Sequence, residues 1–256
     1  MREICRYRSI DMKTVKRIFV ITMTVVLLTG CSKTEKKDTA SVAEQGKVSA
    51  YSSEYQSLKA ENSDVFGWVW VPGTDIDYPV LQSSSGDDSF YKDHDYLGRV
   101  SENGAIYTEA ANMTDMCDFN EVMHGSSPSD GTMFAPLQKF LDRDFFDQHK
   151  NIYVYMDGNS LTYAVFAAFV RDDKRLLEQY DFTYASGCQA FLDEISEKSM
   201  NKNVVEGWEE QIGPENFLLT LSTVDKASGK QVIVVSCLIG DPAGKIDRFV
   251  DYGGYD

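Results

Sequence analysis

The sequence predicts a mostly β protein with helices, an α+β chain built as a barrel or a sandwich. Three observations carry this: short apolar or alternating runs recur, Gly, Pro, Asn and Asp clusters separate them, and few stretches have helical spacing. The runs are residues 67–71, 78–82, 104–108, 120–123, 151–156, 161–171, 217–223 and 231–239. Between Tyr155 and Leu161, Asp157-Gly158-Asn159 is a hairpin signal, because such turns demand residues that accept positive φ. Helical spacing is confined to 51–62, with Tyr51, Tyr55 and Leu58 in step, to 133–141, and to 188–199, where Phe191, Leu192 and Ile195 share a face. No internal repeat is present.

The first thirty residues read as an address. Arg2, Arg6, Arg8, Lys13, Lys16 and Arg17 form a basic leader, and an apolar run follows from Ile18 to Leu28. That run is shorter than the ~20 residues a permanent spanning helix needs and suits a secretory signal. It ends in Leu28-Thr29-Gly30-Cys31, small residues before a cysteine, as lipoprotein processing requires. We therefore expect 1–30 to be a signal peptide, with Met12 an alternative start, and Cys31 to carry a lipid. An uncleaved anchor is the alternative, and it places the domain on the same side. Two acyl chains at about 0.8 kcal/mol per CH₂ hold a protein on a bilayer without a spanning helix. The expected location is the extracellular face of the cytoplasmic membrane.

Residues 31–50 are small and charged, too poor in large apolar side chains to order, and are expected to be a tether. The expected barrel domain is 51–240, with a C-terminal tail at 241–256 that either frays or folds back over the barrel. Net charge is −15 overall. Segment 1–30 holds six basic and two acidic residues, a net +4, so the remainder is near −19. That excludes nucleic acid as a natural partner. Cys117, Cys188 and Cys237 show neither CxxC nor Cys/His ligand spacing, so no metal site is expected; they read as buried hydrophobic residues, with one disulfide as the alternative. No cofactor is indicated.

Several phrases, taken in order, resemble the class B sortases, cysteine transpeptidases of Gram-positive cell walls. They are 62–68 (NSDVFGW), 73–82 (GTDIDYPVLQ), Phe90-Tyr91, His94-Asp95-Tyr96, 101–107 (SENGAIY), 120–125 (NEVMHG), 130–137 (DGTMFAPL) and 220–223 (TLST). The resemblance spans about 51–239 and implies a closed barrel of about eight strands, an N-terminal helix, a helix between late strands, and a groove for a sorting-signal peptide. It also implies a catalytic histidine, cysteine and arginine: the thiolate attacks a carbonyl, the histidine protonates the leaving amine, and the arginine holds substrate and oxyanion.

All three positions depart from that pattern. Ser126 stands where the family has histidine, Val224 where it has the nucleophile, and Gln231 where it has arginine. Valine has no nucleophilic atom, serine is no general acid at neutral pH, and glutamine is uncharged, so we expect a pseudoenzyme that binds a sorting-signal peptide, a wall precursor or another surface protein. An active enzyme with a relocated His124/Cys237 pair is the alternative. His124 lies two residues, roughly 6–7 Å of strand, before the histidine position, and Cys237 shares the face of Gln231 and is expected to look into the barrel. Ser222, Thr223 and Lys230 are candidate binding residues, Lys230 as a replacement positive charge. Asp225 reads as a solvated loop acid, and His94 and His149 as structural.

Overall fold

The computed structural model describes residues 54–197 and 202–253. The signal segment, Cys31 and the tether lie outside the described residues. Among those described, no helix is long and apolar enough to cross a membrane.

Among the described residues nine strands form one sheet: β1 Val65–Trp70, β2 Asp77–Gln82, β3 Ile106–Thr108, β4 Asn120–His124, β5 Asn151–Met156, β6 Asn159–Asp172, β7 Asn203–Val204, β8 Leu218–Asp225 and β9 Lys230–Gly240. Their order is β5-β1-β2-β3-β4-β8-β9-β6-β7, and β5 also pairs with β6. That pairing closes the first eight strands of the order into a barrel and leaves β7 as a short appendage on β6. The helices are α1 over 54–61, α2 Arg143–Gln148, α3 Leu176–Gln179 and α4 Ala185–Glu197. Thus the expected closed eight-stranded barrel, with an N-terminal helix and a helix between late strands, is the fold observed.

Alternation sorts the side chains of each strand between two environments. Val80, Ile106, Met123, Val154, Leu221 and Val234 meet inside the barrel. The opposite faces of β4, β6, β8 and β9 present Val122, Phe169, Leu218, Ile233 and Val235 to Phe191, Leu192 and Ile195 of α4. α1 covers the outside of β1 and β2, with the Tyr55 hydroxyl donating to Phe66 O at 3.1 Å. A bulge in β6 between Val165 and Ala167 lets a 14-residue strand keep a buried face on both sides.

Three expectations change. The stretch 133–141 is a 3₁₀ helix, Ala135–Leu141, entered from Met133 at φ 52° with Pro136 in its first turn, and not an α-helix. The late helix begins earlier than 188, at Ala185. Cys237 shares the face of Gln231, but that face packs against α4, so the thiol points away from the barrel interior.

Beyond Gly240 the tail runs back to α4. Arg248 is stacked on the rings of Phe119 and Phe217, at 5.3 and 5.5 Å to their centroids, and donates to the carbonyls of Pro214 and Asn216. Asp251 bridges to Tyr184, and its carbonyl accepts from Ala185 N at 2.7 Å.

Glu121 is the exception to the apolar core. It is buried on β4, and its Oε2, like the Tyr163 hydroxyl, has no hydrogen-bond partner. Burial, reinforced by the charge of Asp118, pushes this carboxyl well above its usual value of 4.5. The folded state keeps a proton that the unfolded chain releases near 4.5, so the protein is stabilised by this group least where pH is high. Glu121→Gln is expected to raise the melting temperature at pH 8 and to change it little at pH 4, as thermal denaturation at the two pH values will show.

Candidate active-site groove

β4, β8 and β9 run side by side and set the register of the groove. His124 lies across from Ser222, and Ser222 from Ile233; one step on, Val224 lies across from Gln231. Gly125 follows β4 and donates its N–H to Ser222 O at 3.1 Å. A Cβ at Gly125 would sit 2.5 Å from Ile106 Cδ1 and 2.7 Å from the Phe134 ring, so only glycine lets the chain pass. It leads to Ser126, whose Oγ donates to Asn103 O at 2.6 Å. The fold therefore brings Ser126, Val224 and Gln231 to one end of the β4–β8–β9 surface.

The floor of this end is a buried polar knot centred on Arg171, a residue that sequence reasoning passed over as the end of a strand. Arg171 sits on β6 directly across from Gln231 and is 4% exposed. Its Nη1 donates to Gln231 Oε1 at 2.8 Å and Lys174 O at 3.0 Å. Its Nε and Nη2 reach the two carboxylate oxygens of Glu194 on α4 at 3.0 and 3.3 Å, and Nη2 also meets Gln179 Oε1 at 2.5 Å. Gln231 passes the chain on, donating from Nε2 to Ser222 Oγ at 2.9 Å, and the Tyr180 hydroxyl donates to Glu194. A guanidinium is thus present beside the arginine position, one strand over, with its donors engaged by β9, α3, α4 and the turn after β6.

A second charged cluster lies along the groove. Glu109, buried just past β3, accepts from Arg175 Nη2 at 2.9 Å and Nε at 3.1 Å, and His124 Nε2 stands 3.3 Å from it. Arg175 also reaches Asp88 at 3.1 Å and Glu178, so it ties the loop before β3 to the α3 segment. Burial raises the Glu109 carboxyl, but His124 and Arg175 outweigh it and hold it at about 2. This cluster contributes stability above the ordinary carboxylate range and loses it as pH falls toward 2.

The remaining candidates scatter. Cys237 lies across from Leu218, which is level with Asn120, four residues and about 13 Å of strand from His124 and two strands away. The structure does not bring the two together. Burial pushes the Cys237 thiol up to about 12 and Cys188 up to about 11. Cys117, Cys188 and Cys237 are all unpaired. Thr223 shares the barrel-interior face with Leu221, and its hydroxyl has no partner. Lys230 is exposed and paired with Asp172 at 2.7 Å. Asp225 caps the β8–β9 turn, accepting from Ala227 and Ser228. His94 stacks on Phe90 and His149 on Phe145, at 4.1 and 3.8 Å between centroids, both away from this end. Among the described residues no cluster of His, Cys, Asp and Glu could hold a metal ion.

No family model matches the chain. It is 28% identical over 189 residues to sortase B of Listeria monocytogenes, covering 74% of this chain and 73% of that one. To sortase B of Staphylococcus aureus it is 29% identical over 189 residues, covering 73% and 75%. Among solved structures it is similar to Clostridium perfringens sortase B, with a TM-score of 0.64, 28% identity, and 72% and 99% of the two chains covered. It is similar as well to a Staphylococcus aureus sortase B–substrate complex, with a TM-score of 0.65, 26% identity, and 79% and 98% covered. Homology and fold together support the class B sortase family.

Truncating one member of a buried ion pair strands the other charge, at a cost of about 3–5 kcal/mol. Arg171→Met is expected to lose stability on that scale. The paired change Arg171→Met/Glu194→Leu should recover most of it, as urea denaturation of the two variants will measure.

Proposed function

We propose that this chain is an exported lipoprotein, held on the outer face of the cytoplasmic membrane through a lipid on Cys31. Its class B sortase-like domain binds a peptide, a wall component or another surface protein without performing transpeptidation. The observation that carries this reading is Val224. A sortase reaction needs a sulfur at the end of β8 to form a thioester, and here that position holds an aliphatic side chain facing Gln231.

The surroundings support the same conclusion. Ser126 can accept or donate a hydrogen bond but cannot hold the proton a leaving amine requires at neutral pH. Gln231 hydrogen-bonds to both Ser222 and Arg171, and the donors of Arg171 are engaged by protein oxygens, so this guanidinium is not free to meet an oxyanion. Binding needs none of these groups. A closed barrel keeps its shape whether or not the three side chains are reactive. Against the alternative of a His124/Cys237 enzyme stand the separation of the pair and a thiol that burial keeps protonated.

Incubating the purified full chain with a fluorogenic sorting-signal peptide is expected to give no cleavage. Turnover that Cys237→Ala abolishes would overturn the proposal, and so would rapid labelling of Cys237 in the folded protein by a methanethiosulfonate reagent. A variant carrying Ser126→His, Val224→Cys and Gln231→Arg, with Arg171→Gln to make room for the guanidinium, is expected to gain cleavage of the peptide.

A further inference from the structure

A cavity of about 490 Å³ opens beside the N-terminal end of α4, away from Val224, with walls that include Phe119, Leu177, Tyr180, Phe182 and Phe249. The catalytic positions lie near the other end of that helix, where Glu194 meets Arg171. The cavity shares Tyr180 and Glu178 with the two polar clusters described above, but none of Ser126, Val224 and Gln231 lines it.

Three features say what it would take. The first is an apolar rim. Phe249, 74% exposed, lines the cavity, and three more exposed side chains lie close in the chain to its lining residues: Tyr252 at 62%, Met113 at 59% and Tyr184 at 46%. Met113 and Tyr184 directly follow the lining residues Asn112 and Thr183, and Tyr184 bridges to Asp251, the neighbour of Tyr252. Clustered exposed aromatics on an otherwise acidic surface mark a contact site. The second is charge. Asp118, Glu178 and Asp181 line the cavity with Arg248; Glu178 is ion-paired with Arg175, which leaves Asp118 and Asp181 as its available carboxylates. Arg248 is already engaged by two aromatic rings and two carbonyls. Carboxylates beside aromatic faces favour a cation, which gains from both. The third is size, since about 490 Å³ admits one long or aromatic side chain with its backbone.

We infer that this cavity is a peptide-docking site for a basic segment that carries an apolar anchor, a Lys or Arg beside an aromatic or aliphatic residue. The anchor packs on Phe249 and Phe182, and the cation lies between the Tyr180 ring and the carboxylates of Asp118 and Asp181. An anionic lipid surface is disfavoured by the same charges that attract the peptide.

The test is fluorescence anisotropy of the purified full chain with a labelled Lys-Trp-Lys amide and its Glu-Trp-Glu counterpart. The basic peptide should bind and the acidic one should not. Phe249→Ala and the double change Asp118→Asn/Asp181→Asn should each weaken binding about tenfold. Both are mild for the fold, because Phe249 is exposed and Asn can still accept from Met113 N and Thr183 N. Val224→Trp, which fills the catalytic end, should leave the affinity unchanged. Equal binding of the two peptides, unchanged affinity in both cavity variants, or loss of binding in Val224→Trp would overturn the inference. So would self-association, or retention on phosphatidylglycerol vesicles, that Phe249→Ala abolishes while the peptide fails to bind.

Discussion

Strand β6 holds this molecule together through its hydrogen bonds to strands on both sides. Its first six residues pair with β5 and close the barrel, while most of its length pairs with β9. A strand shared in this way cannot slip, because a shift of one residue would turn Phe169 and Tyr163 to the wrong faces at once. The groove inherits its geometry from that fixed register. Arg171 meets Gln231, Gln231 meets Val224, and each partner is set by the step before it.

The barrel and the groove's electrostatics are largely independent. The interior is mostly apolar, and its buried acid Glu121 lies on the opposite face of β4 from His124. On the outer face, polar groups are concentrated where α3 and α4 cross the sheet. Buried charges are tolerated there because nearly every donor is met, including the guanidinium of Arg171 and the carboxylates of Glu194 and Glu109. The three departures at Ser126, Val224 and Gln231 thus leave a satisfied network and not a set of vacancies. Gln231 in particular is a working member of it, linking Arg171 to Ser222.

Much of the fold was legible in the sequence because long alternating strands write their environment into every second residue. The runs at 161–171 and 231–239 correspond to β6 and β9 within two residues at each end. What escaped was short or tertiary. β7 has two residues and no periodicity, and α3 has four. α2 did carry a signal, the N-cap Asp142 accepting from Phe145 N, but six residues give little more. At the site, the three departures were visible against the family's phrases. The Arg171 knot was not, because the pairing of Arg171 with Glu194 spans 23 residues and depends on how α4 lands on the sheet. Cys237 was given the right face but the wrong neighbour, since alternation fixes which residues share a side and does not say what covers it.

The saturation of Arg171 has a kinetic meaning. A cation whose donors all point at protein oxygens projects little field beyond them, and Glu194 cancels what remains. A visitor to that end of the groove is not drawn in by this guanidinium, whatever the acidic surface as a whole contributes. Discrimination at that end therefore falls to how long a well-fitting chain stays.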